Sequence, residues 1–168
     1  MFRYSTSVDL RIVHLKEELE YLRTYIHMQQ LRFGDNLKAE LTYPDEVLQA
    51  MVPFNFLQTF VENAFTHGFA DFYGEKHLQV IIERKQDRLI IAVINNGEQL
   101  DKPTIDRVIN SLGNESGHGL SLSYTKLRNV YGNDFSIDMN SDAAEGTRIS
   151  INIPFKEEGE INAQGNNS

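Results

Sequence analysis

Apolar residues at Leu15, Leu19, Leu22 and Ile26 recur in steps of four and three, and Phe33 follows one heptad later. That spacing predicts a long helix over 15–33 with a coiled-coil-like seam. Glu17, Glu18 and Glu20 stand near its start, where the helix dipole favours anions. The seam is short for a coiled coil, so packing within the domain is expected. Gly34-Asp35-Asn36 reads as a helix stop and turn. Leu37, Ala39, Leu41 and Tyr43 then alternate as a strand ending at Pro44. Pro53 suits the first turn of a second helix, which runs to about His67.

That second helix has two stripes. Leu57, Val61 and Ala64 make an apolar one; Thr59, Asn63, Thr66 and His67 make a polar one beside it, flanked by Glu62. Residues 68–76 read as a loop. Residues 78–85 and 88–95 are strand-like runs joined at Gln86-Asp87 as a hairpin. The second run is almost wholly apolar and predicts a central strand. Ile105, Val108, Ile109 and Leu112 space a short amphipathic helix over 102–112. A turn-rich stretch, 113–119, precedes a helical run through Leu120, Tyr124, Leu127, Val130 and Tyr131. Residues 135–139 and 147–153 predict a last strand pair. Strands with intervening helices fit a two-layer α/β sandwich.

Composition narrows the function. The chain has 168 residues, enough for one domain with a real core. Its net charge of −8 argues against general nucleic-acid or anionic-membrane binding. The absence of cysteine excludes disulfides, thiolate metal sites and Cys nucleophiles. No apolar run is long enough to span a bilayer.

Four short segments carry a resemblance: Glu62-Asn63-Ala64 with His67-Gly68; Asn95-Asn96-Gly97; Gly117-His118-Gly119-Leu120; and Gly146-Thr147. In this order they resemble the N, G1, G2 and G3 boxes of the ATP-binding domain of sensor histidine kinases. The run from Gly119 to Gly132 and the segment from Leu15 to Gly34 look like the LytS/YesM-like subgroup. The resemblance implies the Bergerat fold, a mixed and mostly antiparallel sheet packed on helices, shared with gyrase, Hsp90 and MutL. It divides the chain into an N-terminal segment and helix (1–36), an ATP-binding catalytic domain (37–155) and a disordered tail (156–168).

The same resemblance assigns roles. Asn63 would give its carbonyl oxygen to Mg²⁺, which takes few protein ligands beside phosphate and water. His67 would donate to a phosphate. Glu62 is either a general base for phosphotransfer or a solvated helix charge. Asn95 stands where the family usually has Asp contacting adenine; its amide keeps an acceptor and loses the charge. Gly97 would allow close approach to the base, and Gln99 replaces a second glycine. Gly117, His118, Gly119 and Leu120 would cradle the triphosphate at a helix N-terminus, under a mobile lid over 98–116. Leu122 stands where the subgroup often has a polar residue. Lys126 and Arg128 reach phosphate or are solvated helix charges. Thr147 resembles the residue contacting adenine through water.

The phosphoacceptor histidine is not recognisable, since neither His14 nor His27 has the family's acceptor context. The resemblance therefore implies the catalytic part of a longer, homodimeric, membrane-anchored bacterial kinase, with its acceptor helix and response regulator as partners. This part would be cytoplasmic, and Met1 to Tyr4 would lie where the acceptor helix ends. Competing readings are a degenerate Bergerat module acting through protein contacts and an ATPase of the gyrase or chaperone branch.

Overall fold

The first described element is a short strand, β1 (Ile12–His14), which turns directly into helix α1 (Leu15–Phe33). The computed structural model describes residues 10–114 and 119–161. The seam of α1 packs inward, with Leu15, Leu19, Leu22 and Ile26 each at most 5% exposed. Burying such side chains contributes roughly 1.5–3 kcal/mol apiece. They share one core with the later helices and the sheet.

Strand β2 (Leu37–Thr42) follows the predicted turn. A second short strand, β3 (Met51–Pro53), pairs antiparallel with β1, and Pro53 lies opposite Ile12. This corrects the expected helix start at Pro53. Helix α2 (Phe56–Asn63) begins three residues later and runs into a π turn over Ala64–Gly68. The ribbon explains the delay. Phe54 N–H donates to Arg11 O at 2.8 Å, which keeps the chain extended beyond Pro53.

The hairpin forms as read, with β4 (Lys76–Lys85) and β5 (Arg88–Asn95) joined through Gln86. Helix α3 (Lys102–Ser111) and helix α4 (Gly119–Tyr131) precede the closing pair, β6 (Ser136–Asp142) and β7 (Gly146–Pro154). The five-stranded sheet has the order β2-β4-β5-β7-β6. Only β2 and β4 run parallel; the other neighbours are antiparallel. Central β5 is buried from Ile91 to Asn95, as its apolar run requires. Helices layered on this sheet make the two-layer α/β sandwich.

Helix α4 departs from its apolar pattern. Leu127 is fully buried, but Ser121, Ser123 and Lys126 are buried with it, while Leu120, Tyr124 and Tyr131 are only partly covered. Its inner face meets backbone carbonyls at the start of α2, where hydrogen-bond donors are needed more than hydrocarbon.

Candidate functional site

The polar stripe of α2 lies along a cleft of about 710 Å³. Thr59, Glu62, Asn63, Thr66 and His67 line one wall. The first turn of α4, from Gly119 to Ser121, forms another, and the α3 side adds Leu100, Thr104, Val108 and Leu112. The two threonines turn their hydroxyls onto their own helix. Thr59 Oγ1 donates to Asn55 O at 3.2 Å and Thr66 Oγ1 to Glu62 O at 3.1 Å. Glu62 accepts from Gln58 Nε2 at 2.9 Å. Asn63 and His67 have no side-chain hydrogen bond to another described residue. Their polar atoms are therefore available to a ligand. Among the described residues no three His, Cys, Asp or Glu side chains could hold a metal on their own. Glu62 and Asn63 bring one carboxylate and one amide oxygen to the cleft.

Helix α4 approaches α2 closely at this point. A Cβ on Gly119 would stand 3.1 Å from Thr59 Cγ2. Glycine there lets the backbone N–H groups of the first α4 turn come near the polar stripe.

A second cluster sits where β5 ends. Asn95 is 4% exposed, and its Oδ1 accepts from Gly97 N–H at 3.0 Å. The loop after α2 lies directly over this amide, because a Cβ on Gly68 would stand 2.5 Å from Asn95 Oδ1. A Cβ on Gly97 would stand 1.9 Å from Gly68 O. Glu98 N–H donates to the same carbonyl at 2.9 Å. Thr147 lies opposite Asn95 in the β5–β7 register and is 5% exposed. Its hydroxyl pairs with Ser141 Oγ at 2.9 Å, and Ser141 Oγ in turn accepts from Leu100 N–H at 2.9 Å. The strand-end cluster thus meets the cleft through Gly68, next to His67, and through Leu100.

The entrance of α2 is tied to α1 by a buried carboxylate. Glu18 is fully buried and accepts from Asn55 N–H at 2.8 Å and Leu57 N–H at 3.1 Å. It therefore caps α2, whose own preceding residue, Asn55, adopts a left-handed backbone and makes no side-chain cap. Burial pushes the Glu18 carboxyl above the ordinary carboxylate range, against the pull of these backbone donors and the Lys126 charge. Lys126 Nζ donates to Phe54 O at 2.8 Å, and Ser123 Oγ donates to Phe56 O at 3.1 Å.

The structure brings Glu62, Asn63, His67, Gly119 and Leu120 to one cleft. It gathers Asn95, Gly97 and Thr147 at the adjoining strand end rather than on the cleft lining. Gly117 and His118 fall outside the described residues. Lys126 is a correction: it is neither solvated nor on the cleft, because it holds a backbone carbonyl in the core. Arg128 is exposed. Leu122 is 40% exposed and does not line the cleft, whereas neighbouring Ser121 does. Sequence reasoning missed the carboxylate latch, the α3 wall and Ser141. Glu18 carried a signal, since it falls three and four residues from Leu15 and Leu22, on the buried side of the seam.

A two-layer α/β fold with a polar helix stripe across a cleft from a helix N-terminus can receive an anionic ligand, and likeness to known proteins narrows the class. The catalytic domain of histidine kinase ThkA, in a nucleotide-free form, matches with a TM-score of 0.67 at 13% identity, covering 88% of this chain and 98% of that one. The mycobacterial sensor histidine kinase MprB gives 0.62 at 14% identity, covering 88% and 98%. These likenesses show the fold. In sequence, residues 53–157 match the family described as histidine kinase-, DNA gyrase B- and HSP90-like ATPase, and residues 1–37 match the histidine kinase family. The chain belongs to the histidine kinase-, DNA gyrase B- and HSP90-like ATPase family. Sensor histidine kinase BtsS of Escherichia coli K12 is 26% identical over 94% of this chain and 26% of its own length. Sensor histidine kinase YesM of Bacillus subtilis 168 is 28% identical over 94% and 26%. LytS of Staphylococcus saprophyticus is 28% identical over 85% and 24%. The chain thus spans about a quarter of the length of these curated relatives. Among the described residues no helix is long and apolar enough to cross a membrane.

Proposed function

We propose that the cleft binds Mg-ATP and that this chain donates the γ-phosphoryl group to a histidine on a dimerisation helix outside it. The supporting observation is the pair Asn63 and His67, both without side-chain partners among the described residues, facing the first turn of α4 across the cleft. Asn63 would offer an amide oxygen to Mg²⁺, with phosphate oxygens and water completing the shell. Bound Mg²⁺ would neutralise charge on the phosphates. His67 would donate to a phosphate oxygen, and the N–H groups from Gly119 and Leu120, continuing from Gly117 and His118, would receive the triphosphate. Asn95, Gly97 and Thr147 would meet the base. Glu62 is the only carboxylate lining the cleft among the described residues, and we assign it the proton lost by the attacking imidazole. Catalysis is then chiefly positioning and charge stabilisation.

In this reading residues 37–155 form the catalytic unit and residues 1–36 lead from the acceptor region. The whole protein would be a membrane-anchored, homodimeric two-component sensor kinase, with this part cytoplasmic and a response regulator downstream. The similarity to BtsS, YesM and LytS supports it. Calorimetric titration with a non-hydrolysable ATP analogue and Mg²⁺ tests the first half. Transfer of label from γ-labelled ATP to an added acceptor-helix protein tests the second. Stable label on this chain alone would contradict the assignment of the acceptor elsewhere. A non-catalytic nucleotide module is the alternative that Asn95 and Gln99 favour, and it would bind without transferring label. No heat in the titration would leave only a role through protein contacts.

A further inference from the structure

Asn95 is a tightly constrained polar side chain beside the cleft. Its Oδ1 is held by Gly97 N–H and wedged against two glycines: a Cβ would stand 2.5 Å away on Gly68 and 2.9 Å away on Gly97. That geometry fixes which way round the amide lies. Turning it over would set an NH₂ group against the Gly97 N–H and leave a half-buried donor without an acceptor, which is costly. The amide nitrogen has no hydrogen-bond partner among the described residues. Nor is it sealed from the surface: the buried side-chain polar atoms without partners are Gln29 Oε1 and Tyr131 Oη. Asn95 therefore presents a donor, and it does so beside the backbone that follows His67.

We propose that Asn95 relaxes the base selectivity of this site, so that a purine triphosphate with a 6-oxo group is held about as well as one with a 6-amino group. The inference rests on reading the cleft as a nucleotide site. An amide donor finds an acceptor on either base, the 6-oxo oxygen of guanine or hypoxanthine, or ring nitrogen N1 of adenine. With Oδ1 holding the Gly97 N–H and its remaining side covered by Gly68, the amide gives the 6-amino group no dedicated acceptor, so nothing rewards ATP alone. A carboxylate of the same shape would act differently. One oxygen would keep the Gly97 N–H, and the other would accept from the 6-amino group and repel a 6-oxo oxygen.

The experiment is a titration of the intact chain with ATP, GTP and ITP in Mg²⁺, repeated with Asn95→Asp after its fold is confirmed by circular dichroism. ITP isolates position 6, because it lacks the 2-amino group of GTP. The native chain is expected to bind all three within about threefold, the spread of a fraction of one hydrogen bond. Asn95→Asp is expected to tilt the ratio toward ATP by roughly tenfold or more, the scale of a charge-assisted bond. A native preference for ATP over ITP above about tenfold would overturn the proposal, as would an unchanged ratio in a folded Asn95→Asp. The native arm decides the matter even if the variant does not fold. ATP bound with strong preference sinks this inference alone; no purine nucleotide bound at all sinks the nucleotide reading with it.

Discussion

The two ends of the site are built in opposite ways. At the α2–α4 end, Asn63 and His67 stand on a helix surface with no side-chain partners among the described residues. At the β5–β7 end, Asn95 and Thr147 are buried, and the oxygens that pair them already serve the protein. The first end keeps its chemistry free and can lose a side chain without disturbing the fold. The second end is part of the fold, so its side chains serve packing and recognition together.

Three substitutions would break or sharpen that contrast. The largest effect is expected for Gly97→Ala, whose new Cβ would stand 1.9 Å from Gly68 O. Backbone must move, at a cost of about 3 kcal/mol or more. A thermal melt should show a fall of roughly 6 °C or more; a melt within 2 °C of the parent, on the order of 1 kcal/mol or less, would show that this end is not rigid.

Second is Glu18→Gln, which leaves one of two backbone N–H groups facing an NH₂ group, at a cost of about 1–3 kcal/mol. Its pH dependence carries a sign. The folded Glu18 carboxyl titrates above its ordinary range. Its contribution is therefore most favourable when protonated and weakens as pH rises through the raised value. The native chain should gain on Glu18→Gln as the pH of the melt falls through the raised value. A gap that stays constant or narrows would contradict the burial argument.

Smallest in stability is Asn63→Ala. A half-exposed side chain without a partner should leave the melt within about 0.5 kcal/mol. Mg²⁺-dependent nucleotide binding should nevertheless weaken about tenfold or more, since an oxygen ligand is lost. Equal losses of stability and binding would erase the distinction between the two ends.

The same contrast explains what the sequence made legible. Periodicity reports which face of an element is buried. It recovered α1, β4, β5 and the two stripes of α2, because those residues obey their own helix or strand. Three-residue strands such as β1 and β3 are too short to show a period, so the ribbon at Pro53 was missed. Lys126 was misread because a charge on a buried face is a tertiary decision, made by the Phe54 carbonyl 72 residues away. Asn95 was singled out by motif, yet the loop that lies over its amide comes from Gly68, on another element.

Glu18 has a mechanical consequence. It belongs to α1, but its two backbone partners belong to the entrance of α2, two turns ahead of Asn63. A slide or twist of α1 must either drag α2 with it or strand a carboxylate and two N–H groups in the core. That penalty makes α1 a stiff lever and the polar wall of the cleft its load. Motion passed along α1 would be felt as a change in the pitch of that wall.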